Sequence, residues 1–456
     1  MNYSEAELKK ILDTAVAYGG DFAEIYIADN FNGTIFAEEG KINRFYRGFD
    51  AGAGIRVMKG DICYYSYTND LAYSSLLELA KRAGEGFGDE RISLGYDLKA
   101  PKRYGKAGES WEAEKIGELI RTVNEYAWDI DERVKQVSLS YGDGRCEKLI
   151  ASTAGNYVRG KSCRKRFFVQ IIAESNGEPQ SAVESLGDTE AVFQWTEEIL
   201  QAKVLKAAKR ALKQLTAEDA PSGALPVVMS SEAGGTMVHE ACGHGLEGDS
   251  VSKGLSVYKE KLGQKVASAK VTVIDDATLP GKYGSFSYDD EGNPGRKNVL
   301  IENGILKQYL YDFRSARRVG TESTGNGRRQ GYKKIPLVRM TNTYIAPGND
   351  NPKDILNDIK KGFFVRKMGG GQVNTTNGDF VFEVSEGYLI ENGECTVPVK
   401  NASLIGNGPK ALEAVFAVGD DLGFAIGTCG KGGQSAAVSD AQPTLGISEL
   451  TIGGRK

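Results

Sequence analysis

Residues 22–67 read FAEIYIADNFNGTIFAEEGKINRFYRGFDAGAGIRVMKGDICYYSY, a pattern that predicts a row of paired β-strands. Short runs rich in β-branched and aromatic residues recur along it, at residues 22–28, 34–38, 42–46, 54–58 and 62–67. Asn32-Gly33 and Lys59-Gly60-Asp61 separate two pairs of these runs and have the composition of tight turns. Because short turns join antiparallel neighbours, we expect an antiparallel meander here.

Helical patterns lie on both sides of this meander. Ser4-x-x-Glu7 has the spacing of a capping box, and the apolar residues after it predict a first helix that ends at Gly19-Gly20. Helical spacing recurs at residues 70–83 and 111–129, and further strands are predicted at residues 134–141, 148–153, 156–160 and 165–175. Since the helices are grouped between sheets and do not alternate strictly with strands, the predicted class is α+β.

The chain of 456 residues is long enough for more than one domain. Residues 190–215 predict a long amphipathic helix, and the next ten residues are rich in Pro, Gly, Ser and acidic side chains. We therefore predict an N-terminal α+β domain with an antiparallel sheet at 1–190 and a helix with a linker at 191–221. A mostly β C-terminal domain with one metal-binding helix would occupy residues 222–456.

Composition excludes several classes of partner. The formal net charge is -4, which gives no reason to expect a nucleic acid or an anionic membrane as a partner. No run of eighteen apolar residues is present, and the N-terminus lacks the pattern of a signal peptide, so we expect a cytoplasmic protein. Its six cysteines are scattered, which in a reducing compartment predicts that most of them are buried thiols.

The stretch Thr236–Asp249, TMVHEACGHGLEGD, contains both histidines of the chain and predicts a metal site. His239 and His244 are five residues apart, so a regular α-helix would point them roughly 140° apart. Either a π-bulge at the flanking glycines brings the rings together, or the helix ends at Gly243. We favour the bulge, because single π-turns occur preferentially at functional sites.

Two cysteines compete to be the third ligand that a catalytic metal needs. Cys242 lies inside the motif, where crowding opposes it, whereas Cys429 lies in a glycine-flanked segment that we expect to be a loop with a nearby lysine favouring the thiolate. The spacing of these residues leaves both open. Glu240 follows His239 directly and is predicted to be the general base acting on a water at the metal.

His239-Glu240-x-x-x-His244-Gly-Leu-Glu-Gly-Asp249 resembles the metal motif of the TldD/PmbA family, and specifically of its metal-bearing TldD type. Further matches follow in the same order through the second domain, among them Asp289-Asp290-Glu291-Gly292, Gly369-Gly370-Gly371-Gln372-Val373 and Cys429-Gly430-Lys431. So many separated matches make the resemblance specific. The first domain matches in general character more than in motifs.

This resemblance implies a zinc metalloprotease that trims or degrades peptides and unfolded protein segments, by leader-peptide removal or antitoxin-type turnover. It implies one Zn²⁺ per chain held by His239, His244 and Cys429, with Glu240 as the base. It also implies a dimer, formed with a metal-free PmbA-type subunit or with a second copy of the chain. Two alternatives stay open: a noncatalytic PmbA-like partner subunit, and a zinc amidohydrolase that acts on small amides.

Substrate contacts are predicted at two further places. Gly370, Gly371 and Gln372 would line a sheet edge that receives an extended peptide, or else form a tight bend. Arg328 and Arg329 would stabilise an oxyanion or bind a peptide carboxylate, unless they are surface or interface groups.

Overall fold

The predicted meander is one edge of a seven-stranded sheet in the computed structural model, which describes residues 3–88, 93–98, 101–105 and 112–455. The strands of this sheet run in the order β3-β2-β1-β5-β6-β4, with β7 paired to β6. Their bounds are Phe22–Glu38 (β1), Lys41–Lys59 (β2), Ile62–Thr68 (β3), Lys102–Tyr104 (β4), Val134–Ser152 (β5), Tyr157–Ser175 (β6) and Glu178–Asp188 (β7).

The prediction of a turn at Asn32-Gly33 is wrong, because β1 continues through these two residues. Asn32 pairs with β2 on one side and with β5 on the other, so two ladders hold the backbone extended at a sequence that alone favours a turn. The chain reverses instead at Glu39-Gly40, whose φ angles are 51° and 73°. The turn at residues 59–61 is confirmed, and β7 had no counterpart in the sequence prediction.

The described residues of this part form four helices, and the capping box at Ser4 is present. Residue 111, where the third helix was predicted to begin, lies outside the described residues. The fourth helix begins seven residues later than predicted, after a capping Thr196. The bounds are Glu5–Val16 (α1), Tyr73–Glu85 (α2), Ala113–Trp128 (α3) and Glu197–Gln214 (α4).

The helices cover one face of the sheet. Alternate residues of a strand point to opposite faces, and Ile25 and Ile27 of β1 pack with α1 and α2, whereas Ile35 packs with α3 and α4. Tyr26, between the first two, belongs to a separate cluster with Tyr332. The opposite face of the sheet therefore meets the C-terminal part of the chain.

An eight-stranded and a six-stranded sheet form most of the C-terminal part, together with one two-stranded ribbon. The strands are Glu218–Asp219 (β8), Gly223–Met229 (β9), Val273–Asp276 (β10), Lys297–Glu302 (β11), Ile305–Leu306 (β12), Gly327–Arg328 (β13), Leu337–Val338 (β14), Asn342–Ile345 (β15), Lys361–Val373 (β16), Asp379–Glu391 (β17), Glu394–Lys400 (β18), Ala402–Asn407 (β19), Val415–Val418 (β20), Gly423–Lys431 (β21), Gln434–Gln442 (β22) and Leu445–Gly453 (β23). The short helices are Thr236–Val238 (α5), Gly248–Ser252 (α6), Phe313–Val319 (α7), Pro352–Asn357 (α8) and Gly408–Glu413 (α9).

Two pairings position the site. Because β16 pairs with both β9 and β17, strands β16, β9, β23, β19 and β17 close into a ring around the C-terminal core. In the six-stranded sheet, β21 and β22 form a hairpin at the edge, with β21 outermost. The α+β class is confirmed, and the domain boundaries at residues 190 and 222 stay a prediction. Among the helices of the described residues, none has the length and apolar character that a bilayer span requires.

Candidate metal centre

The segment that carries both histidines is a short, distorted helix. α5 is followed by a π-turn at His239–Gly243, in which the backbone N–H of His244 donates to the carbonyl of His239 five residues earlier. The next three residues form a 3₁₀ turn. The predicted π-bulge is therefore confirmed, and it brings the two imidazole centroids to 4.9 Å, with the rings perpendicular.

Each imidazole is held by a carboxylate through its Nδ1. His239 Nδ1 lies 2.7 Å from Asp440 Oδ1, and His244 Nδ1 lies 3.0 Å from Glu247 Oε2. Burial disfavours the charged ring, but Asp440 and Cys429 outweigh it and raise the pKa of His239 well above its usual 6.5. For His244, Glu247 similarly outweighs burial and raises the pKa to about 10. In both rings the contact at Nδ1 leaves Nε2 for another partner.

Cys429 is the cysteine that meets the two histidines, since its Sγ lies 3.4 Å from His244 Nε2. It lies on strand β21 and not in the loop that we predicted, because the chain turns only at Gly432-Gly433, where both φ angles are positive. Burial raises the pKa of the Cys429 thiol, but the hydrogen bonds and charges of His239 and His244 lower it to about 5. The thiolate is thus favoured at neutral pH.

The lysine near Cys429 does not act as the sequence suggested. Lys431 Nζ lies 2.9 Å from Glu247 Oε2 and 2.7 Å from Asp249 Oδ1. Burial raises the pKa of Glu247, yet Lys431 and His244 outweigh it and hold that pKa below its usual range. Lys431 therefore fixes the carboxylate that orients His244, and the histidines, not the lysine, favour the thiolate.

Cys242 points away from this cluster. It is fully buried, and its Sγ donates to the carbonyl of Val238 at 3.2 Å. Burial alone raises its pKa to about 12, which keeps it a thiol. The π-turn therefore places Cys242 in the hydrophobic core and not beside the histidines.

The donor atoms of His239, His244 and Cys429 all lie within 4.8 Å of one another. Two imidazole nitrogens and one thiolate form a set that could hold a metal ion. Two short segments supply this set, residues 239–244 and strand β21, and residues 185 positions apart in the chain meet in it. Arg339 donates to the carbonyls of Cys429 and Gln434, so it ties together the two strands of the hairpin.

A cavity of about 520 Å³, which we call the metal cavity, opens onto these three residues. Glu240, Gly371 and Gln372 line it, as do Thr236, Ser250 and Thr428. Burial raises the pKa of Glu240, against the attraction of the two histidines. Gly370 is exposed and is not among the described residues that line the cavity. Of the three residues predicted to contact a peptide at the sheet edge, only Gly371 and Gln372 therefore face this space.

Arg328 and Arg329 do not line the metal cavity, so the contact with substrate predicted for them stays a prediction. Arg328 is buried and donates to the carbonyls of Met340 and Ala437. Arg329 is buried against Glu24 of the first sheet. The two-stranded ribbon that carries them turns both side chains away from the histidines, toward the junction with the first sheet.

Sequence reasoning missed the orienting groups Asp440, Glu247 and Arg339. A signal for Asp440 was present: Gly432-Gly433 between two strand-like runs is typical of a hairpin, and that hairpin brings residue 440 back beside the strand of Cys429. Glu247 lies three residues after His244, within reach in any helical turn. No local pattern indicated Arg339.

Three family models match the chain in sequence order. Domain 1 of the PmbA/TldA metallopeptidases matches residues 23–86, the central domain matches residues 106–215, and the C-terminal domain matches residues 222–454. The last of these matches contains the π-turn and strand β21.

Named relatives cover nearly the whole chain. A protein of Buchnera aphidicola called "Metalloprotease TldD homolog" is 36% identical over 448 residues, which is 95% of this chain and 93% of the relative. A "Zinc metalloprotease TldD homolog" of Saccharolobus solfataricus is 28% identical over 98% of this chain and 99% of that protein. The solved structure of TldE from Thermococcus kodakarensis has the same fold, with a TM-score of 0.77 at 19% identity, covering 98% of this chain and all of that one.

Proposed function

The chain belongs to the TldD/PmbA metallopeptidase family, and on this premise we propose that it is a zinc-dependent protease that hydrolyses peptide bonds in peptides or unfolded segments. The observation that carries the proposal is the meeting of His239, His244 and Cys429 beside Glu240 in an open cavity. Leader-peptide removal and antitoxin-type turnover are the substrate classes that we propose. We also propose a cytoplasmic location.

The donor set supports zinc as the metal. In a tetrahedral zinc site with bonds of about 2.0–2.3 Å, neighbouring donors lie roughly 3.5 Å apart, and the Cys429 to His244 distance is 3.4 Å. Three protein ligands with one open position are typical of catalytic zinc. Bound there, the ion would supply a Lewis acid that polarises a peptide carbonyl and lowers the pKa of water.

Glu240 is the group that we propose as general base. It follows His239 in the π-turn and lines the same cavity, so its carboxylate can take a proton from water and return it to the leaving amine. Burial raises the pKa of Glu240, which makes its carboxylate a better proton acceptor than an exposed one.

The open part of β16 is the surface that we propose for the peptide. β16 pairs with β17 as far as Val373, but on its other side β9 covers only residues 363–365. Gly371 and Gln372, on the uncovered part, line the metal cavity. An extended substrate that adds to this edge would be bound through main-chain hydrogen bonds, which tolerate many sequences. We propose that Gly370 belongs to the same edge, through its backbone only.

A dimer is the assembly that we propose, with a PmbA-type subunit or with a second copy of the chain. The similarity to TldE is consistent with such a pairing only at the level of the fold. The first experiment is therefore run on the chain alone and again with a candidate PmbA-type protein.

Metal analysis of the purified protein and of the Glu240→Gln variant, combined with cleavage of an unstructured peptide, tests the proposal. We expect about one zinc per chain in both proteins, cleavage by the native chain only, and loss of that cleavage with a chelator. Glu232→Gln, which removes an exposed carboxylate paired with Lys206, is the matched control and should cleave normally. Full activity of Glu240→Gln would sink the proposed role of Glu240. Cleavage of small amides but not of peptides would favour the amidohydrolase alternative.

A further inference from the structure

A second cavity, of about 600 Å³, lies between the first sheet and the C-terminal part of the chain. Its walls come from strands β1, β5 and β6, from residues 277–281 and 285–290, and from residues 328–330 and 435–437. Within the described part of the chain, no residue lines both this cavity and the metal cavity. We call it the junction cavity.

Two arginines of the junction cavity are held by carbonyl groups. Arg164 donates from Nε to Tyr283 at 2.7 Å and from Nη2 to Ser285 at 3.1 Å. Arg328 donates from Nη1 to Met340 at 2.5 Å and from Nη2 to Ala437 at 2.7 Å. Carbonyl oxygens orient a guanidinium but do not neutralise it, and neither arginine forms an ion pair with a carboxylate of the described residues.

Other buried arginines of the chain show the contrast. Arg56 lies 2.9 Å from Glu24, and Arg210 lies 2.9 Å from Glu184. A buried cation without a counter-charge is unfavourable, because burial removes its hydration and nothing replaces it. Arg328, which is buried, and Arg164, which is half-buried, have no carboxylate partner among the described residues, and the buried Arg339 likewise donates only to carbonyl groups.

The carboxylates that line the junction cavity are already engaged. Asp290 is paired with Lys148 and accepts the backbone N–H of Arg329. Asp289 accepts backbone N–H groups from Glu291, Asn293 and Gly327, and burial raises its pKa.

The positive charges also act on one another. Burial lowers the pKa of Arg328 to about 10, the charges of Arg164 and Arg339 lower it further, and the charges of Asp290 and Asp275 oppose this effect. The described lining of the cavity has two carboxylates, Asp289 and Asp290, and a larger number of cationic side chains, namely Lys148, Lys161, Arg164, Arg328 and Arg329.

The rest of the lining is suited to an organic molecule. Tyr26, Tyr104, Phe286 and Tyr288 contribute aromatic rings, and the guanidinium of Arg328 lies 5.4 Å from the centre of the Phe286 ring. A volume of about 600 Å³ exceeds what a bare inorganic ion needs and lies in the range of small-molecule sites.

We propose that the junction cavity binds a small organic anion, whose carboxylate or phosphate group contacts Arg164 and Arg328 and whose ring or chain lies against the aromatic residues. This site is separate from the metal centre. On strand β22, residues 435–437 line the junction cavity, whereas Val438 and Asp440 line the metal cavity. The proposal therefore does not depend on the protease function.

Calorimetric titration of the full chain with phenyl phosphate, benzoate and the neutral analogue benzamide tests this site. Phenanthroline, an uncharged chelator, is present throughout so that the anions do not bind a metal ion. We expect saturable binding of at least one anion and none of benzamide, because a neutral amide cannot balance the two guanidinium charges. The anion that binds more tightly identifies the class of ligand group.

Arg164→Gln is the decisive variant, because Arg164 is only half-buried and its loss spares the core. We expect its affinity for the anion to fall by about tenfold to a hundredfold, the effect of losing a charge-assisted hydrogen bond. Arg166→Gln, on the same strand, removes an exposed arginine that does not line the cavity and should bind normally. Arg328→Lys, which keeps the charge but loses the forked contact, should bind more weakly than the native chain.

Three results would overturn the proposal. The first is the absence of saturable binding by both anions at millimolar concentration. The second is equal binding of benzamide and benzoate. The third is an unchanged affinity in Arg164→Gln, or an equal loss in Arg166→Gln, since general surface charge would then explain the binding.

Discussion

Two carboxylate side chains decide which nitrogen of each histidine ring faces Cys429 and the cavity. Each ring has two nitrogens, and a carboxylate bound at Nδ1 fixes the tautomer that leaves Nε2 as the ligand. Asp440, on strand β22, holds His239 in this way, and Glu247, three residues after His244, holds His244. The geometry of the cluster therefore depends on residues that do not themselves belong to the donor set.

Asp440→Asn should weaken metal binding about tenfold to a hundredfold, because the neutral amide holds the imidazole less firmly and lowers its basicity. Competition with a chromophoric chelator measures the affinity. The control is Asp420→Asn, which changes an exposed aspartate just before strand β21 and should bind metal normally. Equal affinities of Asp440→Asn and the native chain would show that Asp440 has no orienting role.

Substitutions of the two candidate cysteine ligands, Cys429 and Cys242, should have opposite effects on metal content. Cys429→Ser should purify with little metal, because the hydroxyl is a poorer ligand and keeps its proton at neutral pH. Cys242→Ala should keep its metal, since that thiol lies in the hydrophobic core and donates its hydrogen bond to the carbonyl of Val238. Elemental analysis of both variants decides between them, and the reverse pattern would make Cys242 the ligand.

At the scale of elements, the π-turn and the β21–β22 hairpin create the site together. The π-turn absorbs the extra residue between the histidines, and the hairpin presents Cys429 and Asp440 from one sheet edge. Helix α9 fixes the π-turn from behind, because Gly408 at its start lies directly against Ala241. A Cβ at position 408 would lie 2.1 Å from the Ala241 carbonyl oxygen.

Gly408→Ala should therefore push the π-turn out of place. We expect a loss of stability of about 1–3 kcal/mol, typical of overpacking in a rigid core, and a weaker affinity for metal. Urea unfolding and the chelator competition measure the two effects. Gly331→Ala is the control, because a Cβ there would meet no atom within 4 Å. A variant at position 408 with native stability and metal affinity would contradict the close packing of α9 on the turn.

At the scale of the whole molecule, buried charges join the first sheet to the C-terminal part. Arg56 lies 2.9 Å from Glu24 and 2.8 Å from Glu291, and Arg329 contacts the same Glu24. The side chains of all four residues are almost completely buried. Glu291 and Arg329 of the C-terminal part therefore share one buried charge network with Glu24 and Arg56 of the first sheet.

Glu24→Gln should destabilise the protein by about 3–5 kcal/mol, because it leaves two buried arginines short of negative charge. The midpoint of urea unfolding, followed by circular dichroism, measures the change. Glu78→Gln breaks an exposed helical pair with Arg82 and should change stability by no more than about 0.5 kcal/mol. Equal midpoints for the two variants would show that the buried network adds nothing to stability.

Local patterns predicted much of the fold and part of the site. The capping box, the turn at residues 59–61, the α+β class and the π-bulge all depend on interactions within a few residues, and all are present. Residue spacing determined the bulge, because five residues between two histidines do not fit a regular helical turn.

Tertiary structure decided the rest. Pairing on both sides kept β1 extended through Asn32-Gly33, against its local turn preference. Packing also carried Arg328 and Arg329 to the junction cavity, which no local pattern indicates. Residue spacing alone left Cys242 and Cys429 as rivals, and only the folded sheet brings Cys429, 185 residues away, against His244. Sequence by itself thus determined the distorted turn and the two histidines that it brings together, because these are local, whereas contacts between distant residues depend on how whole sheets pair.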